Sequence, residues 1–307
     1  MKAGQASNTA VIVAAGLQLL RHDGVARGML PADTGGQGVR LLQSVRPRLA
    51  RWLEWRAFRL GCHALERRIM PGILLHYALR KRALQQYARD SVALGVQQVV
   101  VLGAGLDTLA SRLLAEFPTL QCIEVDHPAT QRCKQHGLAA STQAGLHFLP
   151  LDLAQQDLAH ALRFCNAFDG SLPTLFIAEG LLMYLSEARV AALLRQMQGV
   201  AGQSRIALTW FDSRAGFAHR SRWLDAWLQL RNEPFLSGMP RTLLPRFLQK
   251  FDYDCLALIE SSERLTPAEA AGLPASRQVL RGEYICLAQS QNWHGASASL
   301  LAKPEEK

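Results

Sequence analysis

From residue 91 onward, short apolar runs alternate with stretches whose apolar residues recur every three to four positions. The runs are QVVVLG, LQCIEVD, LHFLPLD and PTLFIAEG, followed by RIALTWFD, YDCLALIE and GEYICLAQ. Runs of this length, rich in Val, Ile and Leu, predict strands covered on both faces, and the helical stretches between them predict crossovers of a parallel sheet. The pattern therefore predicts an α/β fold with seven strands, mostly parallel, and helices on both faces. The helices have recognisable ends. One spans 107–117 and stops at Pro118, the next begins at Pro128, and Ser186 caps EARVAALLRQM, whose Val190, Leu193, Leu194 and Met197 form one stripe.

Residues 1–90 read as a helical region interrupted by a glycine-rich loop at ADTGGQG. Its run VIVAAGLQLL, 11–20, is too short to span a bilayer. No small-residue cleavage site follows before RHDG, so the run reads as a buried helix rather than a signal peptide. The core is expected over 91–288. Within it, an insertion of about 213–250 carries Trp223, Trp227 and Leu230 at helical spacing and is expected to cap the strand ends. Residues 289–307 are polar and read as a frayed tail.

Composition sharpens this picture. Of 307 residues, 49% are hydrophobic, enough for a substantial core, yet no apolar stretch reaches the length of a membrane anchor. The six cysteines are scattered and read as reduced core thiols of a cytoplasmic protein; neither they nor the nine histidines show a metal-binding spacing. His127, beside Asp126, reads as a loop histidine. The net charge of +9 is concentrated: eleven arginines and Lys81 lie between Arg40 and Arg89, against Glu54, Glu66 and Asp90. Such an excess attracts anions, whether a carboxylate substrate, nucleic acid or a membrane surface. Trp52, Trp55 and Phe58 interleave with these arginines, but Val45, Leu49, Trp52 and Leu53 also fit helical core spacing, which favours core packing over nucleic acid.

In an open parallel sheet the ligand site lies outside the carboxyl ends of the strands. The first strand ends at Gly103-Ala104-Gly105, the second at Asp126, the third at Asp152-Leu153 and the fourth at Glu179-Gly180. A dinucleotide fingerprint would place a third glycine where Thr108 stands, and Asp107 would repel a diphosphate. Asp126 suits a ribose hydroxyl pair. A carboxylate at Asp152 can accept from an adenine amino group with Leu153 against the ring, and one at Glu179 suits an ammonium or sulfonium. S-adenosyl-L-methionine has no phosphate and a cationic centre, so an acid-lined pocket fits it. Its carboxylate calls for an arginine, for which Arg80 and Arg82 are candidates.

The segments QQVVVLGAGLDTLASRL, CIEVDHP, LPLDL and LFIAEGLLMYL, in this order and spacing, resemble the leucine carboxyl methyltransferase family, especially its bacterial branch of S-adenosyl-L-methionine-dependent methyltransferases. The likeness is specific from about Tyr77 to Asp212, weaker toward NEPFLSGMPRTLLPRFL and poor before residue 40. It implies a class I methyltransferase fold, Rossmann-like, with Arg80 on the methionyl carboxylate and Gly103 and Gly105 against the cofactor backbone. By the same resemblance Asp126 holds the ribose, Asp152 and Leu153 the adenine, and Glu179 the methionyl end. The chain departs from the family at Leu109, where bacterial members usually carry arginine, and at Gly16-Leu17, where an arginine-alanine pair is expected after SNTA.

The expected activity is O-methylation of a small-molecule or peptide acceptor bearing a carboxylate or hydroxyl, with an anionic acceptor favoured by the arginine excess. No general base is evident, and a carboxylate acceptor needs none; for a hydroxyl, His127, Tyr184 and Asp212 stay open. Two rivals remain. An NAD-dependent oxidoreductase is disfavoured by Thr108 and the later strand-end acids, and a catalytically silent cofactor-binding or nucleic-acid-associated protein is suggested by Leu109 and the basic face.

Overall fold

The computed structural model describes residues 7–31, 34–138, 143–212, 235–274, 277 and 279–295. Seven strands form one sheet: β1 (Gln98–Leu102), β2 (Gln121–Asp126), β3 (Leu146–Pro150), β4 (Thr174–Ala178), β5 (Ser204–Phe211), β6 (Tyr253–Glu260) and β7 (Glu283–Ser290). Their order is β3-β2-β1-β4-β5-β7-β6. All lateral pairings from β3 to β5 are parallel, and β7 runs antiparallel between β5 and β6. Each of the seven apolar runs thus becomes a strand. The period of two divides them between two cores. Val100, Leu102, Ile123, Val125 and Phe176 face one side, and Val99, Val101, Cys122, Leu175 and Ile177 the other.

Helices cover both faces. On the first lie α8 (Leu158–Arg163) and α9 (Glu187–Val200), with Val190, Leu193, Leu194 and Met197 buried and Ser186 accepting from the Arg189 amide as the N-cap. On the second lie α5 (Ile73–Ala93) and α6 (Leu109–Glu116). Leu109, the departure from the family pattern, is buried there among Val101, Ala104 and Leu113. Between β2 and β3 runs α7 (Pro128–Leu138).

The N-terminal helices, α1 (Asn8–Arg21), α2 (Thr34–Val45), α3 (Pro47–Leu53) and α4 (Arg56–Ile69), form a separate apolar cluster with the start of α5. Three expectations change here. Within the described residues the glycine-rich stretch is helical, because Thr34 to Gly38 form the first turn of α2. Glycine's low helix propensity is overridden by packing: Leu41 and Leu42 are fully buried, and Gly137 lets α7 approach Leu41 and Ser44 closely. Next, α5 continues past residue 90 to Ala93. Finally, Trp52 is 45% exposed rather than core, although Leu53 of the same stripe is buried.

The cap helix expected around Trp223, Trp227 and Leu230 lies outside the described residues. Residues 235–240 return across the sheet end, where the amides of Leu236 and Met239 donate to the carbonyls of Met183 and Phe211. The boundary expected at Gln289 falls inside β7. Beyond the strand, Trp293 is buried at 8% exposure, and the Arg205 guanidinium lies 4.8 Å from the Tyr87 ring centroid and 5.6 Å from that of Trp293. The chain is therefore pinned after β7. Trp293→Ala should lower stability by about 3 kcal/mol in urea unfolding, as for a large buried aromatic, whereas a frayed tail would tolerate it without change.

Candidate functional site

The glycine turn after β1 is built on two left-handed residues, Gly103 at φ 65° and Gly105 at φ 52°. A Cβ at Gly103 would lie 3.0 Å from Leu181 Cδ1, and one at Gly105 would lie 3.2 Å from Ala10 Cβ. Glycine is needed at both positions for backbone conformation and for space. The turn directs the Gly105 amide at Asp126 Oδ2, 2.5 Å away, while Asp126 Oδ1 accepts from the His127 amide at 2.6 Å. Each oxygen keeps a second lone pair for another donor. Burial raises the Asp126 pKa, opposed by these two amides. His127 turns toward α7, its Nδ1 accepting from the Ala129 amide, as suits a loop histidine.

Asp152 follows β3, where its oxygens accept from the Ala154 amide at 3.0 Å and the Gln155 side chain at 2.8 Å; Leu153 beside it is buried. The Leu151 amide donates to the Asp126 carbonyl at 2.9 Å, which ties the ends of β2 and β3 together. Glu179 follows β4. Because the strand order is β3-β2-β1-β4, the sites lie along the carboxyl edge as Asp152, Asp126, the glycine turn, then Glu179. Three strand spacings make this track roughly 14 Å long.

At the Glu179 end, α5 supplies the cations. Arg80, 4% exposed, donates from Nε to Glu179 Oε1 at 3.0 Å and from one Nη to both oxygens of Glu283 at 2.8 Å. Its guanidinium also lies over the Tyr77 ring, 5.2 Å from the centroid. Lys81 Nζ lies 2.8 Å from Asp107 Oδ2 and 3.1 Å from Glu179. Asp107 in turn caps the start of α6 by accepting from the Thr108 and Leu109 amides. Arg82 points elsewhere, to Glu269 and the Arg264 carbonyl. The structure thus brings Arg80, Gly103, Gly105, Asp126, Asp152, Leu153 and Glu179 to one edge and leaves Arg82 off it.

Three further residues belong to this end and were not singled out in the sequence. Lys81 neutralises Glu179 and Asp107, Glu283 holds Arg80, and His76 Nε2 contacts Glu283 Oε2 at 2.5 Å. Two signals point to them in retrospect. His76 and Arg80 are four apart on one helix and so share a face. Glu283 opens an antiparallel strand, whose first residue falls at the carboxyl end of its parallel neighbours. The Thr209 hydroxyl, bonded to Glu283, also accepts from the Gly180 amide at 2.8 Å and so fixes the turn after Glu179.

The electrostatics are those of a dense buried ion cluster. Burial opposes the charge of Arg80, but the Glu283 and Glu179 carboxylates outweigh it and raise its pKa. Asp107 is buried too, yet Lys81 and Arg112 hold its carboxyl well below the usual range. Burial would raise Glu283, but Arg80 and His76 bring it down from 4.5 to about 2. A depressed carboxyl stabilises the fold above its unfolded pKa and loses that contribution as pH falls through its folded one. Glu283→Gln should therefore cost up to roughly 3 kcal/mol at neutral pH, since it leaves the buried Arg80 with Glu179 as its one carboxylate partner. In urea titrations the variant should also lose less stability than the unmutated chain between pH 4.5 and about 2.

A family profile described as leucine carboxyl methyltransferase matches residues 4–198, reaching further toward the N-terminus than the resemblance in sequence motifs. A protein of Mycobacterium ulcerans (strain Agy99), named as a candidate S-adenosyl-L-methionine-dependent methyltransferase, is 39% identical over 141 residues, 44% of this chain and 44% of its own. One of Mycobacterium sp. (strain KMS) with the same name is 34% identical over 178 residues, 53% of this chain and 65% of its own. The match thus spans less than half the length of the first of these relatives. Among solved structures, a candidate methyltransferase from Thermobifida fusca YX shares the fold with a TM-score of 0.59 at 17% identity, over 82% of this chain and 94% of that one. With a family match over more than half its length and the seven-stranded sheet of a class I methyltransferase, this chain belongs to the leucine carboxyl methyltransferase family.

Proposed function

We propose that this chain is an S-adenosyl-L-methionine-dependent O-methyltransferase acting on a small-molecule or peptide acceptor that bears a carboxylate or hydroxyl. The observation that carries the reading is the ordered polar track along the carboxyl edge, Asp152, Asp126, Gly103 to Gly105, then Glu179 with Arg80. Its chemistry matches the donor group by group. Asp152 would accept from the adenine amino group with Leu153 against the ring, and Asp126 from the ribose hydroxyls through its spare lone pairs. Glu179 would take the ammonium and Arg80 the carboxylate of the methionyl end. The two left-handed glycines leave the turn without side chains where the nucleoside would approach.

When bound, the donor supplies an activated methyl on a sulfonium. The chain's part is to align the acceptor and exclude water, an effect worth up to roughly 7 to 11 kcal/mol. The N-cap end of α1 lies over the strand ends, with Ala10 at Gly105 and the Tyr184 hydroxyl 3.3 Å from Thr9 Oγ1. Tyr184, Phe235 and Phe211 form a wall of rings beyond Glu179, with centroids 5.4 and 5.3 Å apart, suited to an acceptor with an apolar body. A carboxylate acceptor attacks without a general base. For a hydroxyl acceptor Tyr184 is the better placed candidate, because His127 belongs to the ribose end of the track.

Incubation with methyl-labelled donor and acceptor panels should yield label in esters or ethers; transfer to nitrogen or carbon alone contradicts the O-methyl reading. Arg80→Lys should raise KM for the donor by at least about tenfold with a smaller effect on kcat, because an ammonium cannot reproduce the guanidinium fork. An unchanged KM would remove Arg80 from the donor site.

A further inference from the structure

The arginine-rich segment between α2 and α5 has no part in the track along the strand ends. We propose that α3 and α4 form a docking surface for an anionic lipid bilayer. None of the 14 residues of α4 is buried. Phe58 and Cys62 lie half-buried against the N-terminal core, while Ala57, Leu60, Gly61, Ala64 and Leu65 are exposed. At the α-helical repeat these five share one arc beside that of Phe58 and Cys62, with Arg68 entering it at the last turn. The helix therefore docks by the edge of its apolar face and leaves the remainder of that face to solvent.

The exposed apolar groups are large. Trp52, Trp55, Leu60 and Leu65 are 45%, 61%, 60% and 57% exposed, and Trp52 reaches α4 through Phe58, with ring centroids 5.7 Å apart. Single exposed apolar residues are ordinary, but a cluster marks an interaction surface. Around it stand Arg48, Arg51, Arg56, Arg67 and Arg68, all exposed and without a carboxylate partner among the described residues. Of the two acids of the segment, Glu66 is half-buried and accepts from the Gly72 amide, while Glu54 accepts from Gln18 with its side chain still 53% exposed. The surface is thus apolar at its centre and rimmed with cations, five exposed arginines against the one exposed acid of the segment, Glu54.

This combination discriminates between anionic partners. Phosphates of a nucleic acid would suit the arginines and its bases the tryptophans, but Leu60 and Leu65 offer neither pairing nor stacking to it. A bilayer interface uses every group: guanidinium on lipid phosphate, indole at headgroup depth, leucine at the acyl boundary. A helix of this length, about 21 Å, lies along the interface plane. No described helix is long and apolar enough to cross a membrane, so the contact is peripheral. The proposal is independent of the methyl-transfer reading.

The test is co-sedimentation of the full chain with vesicles of phosphatidylcholine containing about a quarter phosphatidylglycerol, a strongly anionic surface. Binding should be absent with pure phosphatidylcholine and should weaken as salt rises. Replacing Arg56, Arg67 and Arg68 together by Gln should reduce partitioning about a hundredfold, at about fivefold per charge. A second variant, Trp55→Ser with Leu60→Ser and Leu65→Ser, should lose at least about tenfold even at low salt, which electrostatics alone would not produce. All six positions are exposed or rim groups, so both variants should keep the thermal midpoint of the unmutated chain to within a few degrees. No sedimentation with anionic vesicles overturns the proposal, as does binding insensitive to the second variant. Preference for single-stranded RNA over vesicles would reassign the face to nucleic acid, and a dimer in light scattering abolished by the second variant would reassign it to self-association.

Discussion

The arrangement of the site depends on one buried guanidinium. Arg80 joins three elements at one point: α5, the turn after β4 through Glu179, and the first residue of β7 through Glu283. Burying a guanidinium is costly unless every nearby charge is paired and hydrogen-bonded. The chain meets that condition with two carboxylates, an aromatic face and the adjoining Lys81–Asp107 pair. The same cluster that holds the fold at its carboxyl edge therefore fixes the charge pattern presented to a ligand.

Strand order does the rest. The glycine turn and the three acids are scattered over some 75 residues of sequence, but parallel pairing in the order β3-β2-β1-β4 sets them out as a line. Each position inherits its chemistry from a strand end, and under the proposed function that order is read as the parts of an adenosyl amino acid. The N-terminal helices close the line from above. Ala10 meets the glycine turn, Thr9 meets Tyr184, and the Ser7 amide donates to Thr130 at 3.2 Å.

Much of this was legible in the sequence. Apolar runs between helical periods marked all seven strands, and Gly103, Asp126, Asp152 and Glu179 could be placed because parallel strands end on one edge. What escaped were features that depend on tertiary context. Glu283 could be assigned to the site only once β7 was known to run antiparallel. Lys81 reads in sequence as one more basic residue, yet it neutralises two acids of the cluster. The helix over Thr34 to Gly38 runs against local propensity and exists because α2 packs on α7. Trp293 lies in a polar stretch, and its burial follows from a stacking partner, Arg205, some ninety residues earlier in the chain. Trp52 matched a core stripe, but α3 has only seven residues, and Ala50 and Leu53 fill its inward face.

Leu109, where the family resemblance leads one to expect arginine, has a structural account as a buried member of the apolar core behind the glycine turn. The central claim is that this turn and Asp126 hold the nucleoside of S-adenosyl-L-methionine. Calorimetric titration with S-adenosylhomocysteine tests it most directly. The account predicts saturable binding by the unmutated chain and at least about tenfold weaker binding by Asp126→Ala, the scale of a lost hydrogen-bonded charge. Absence of binding by the unmutated chain, or equal affinity in the variant, would contradict it.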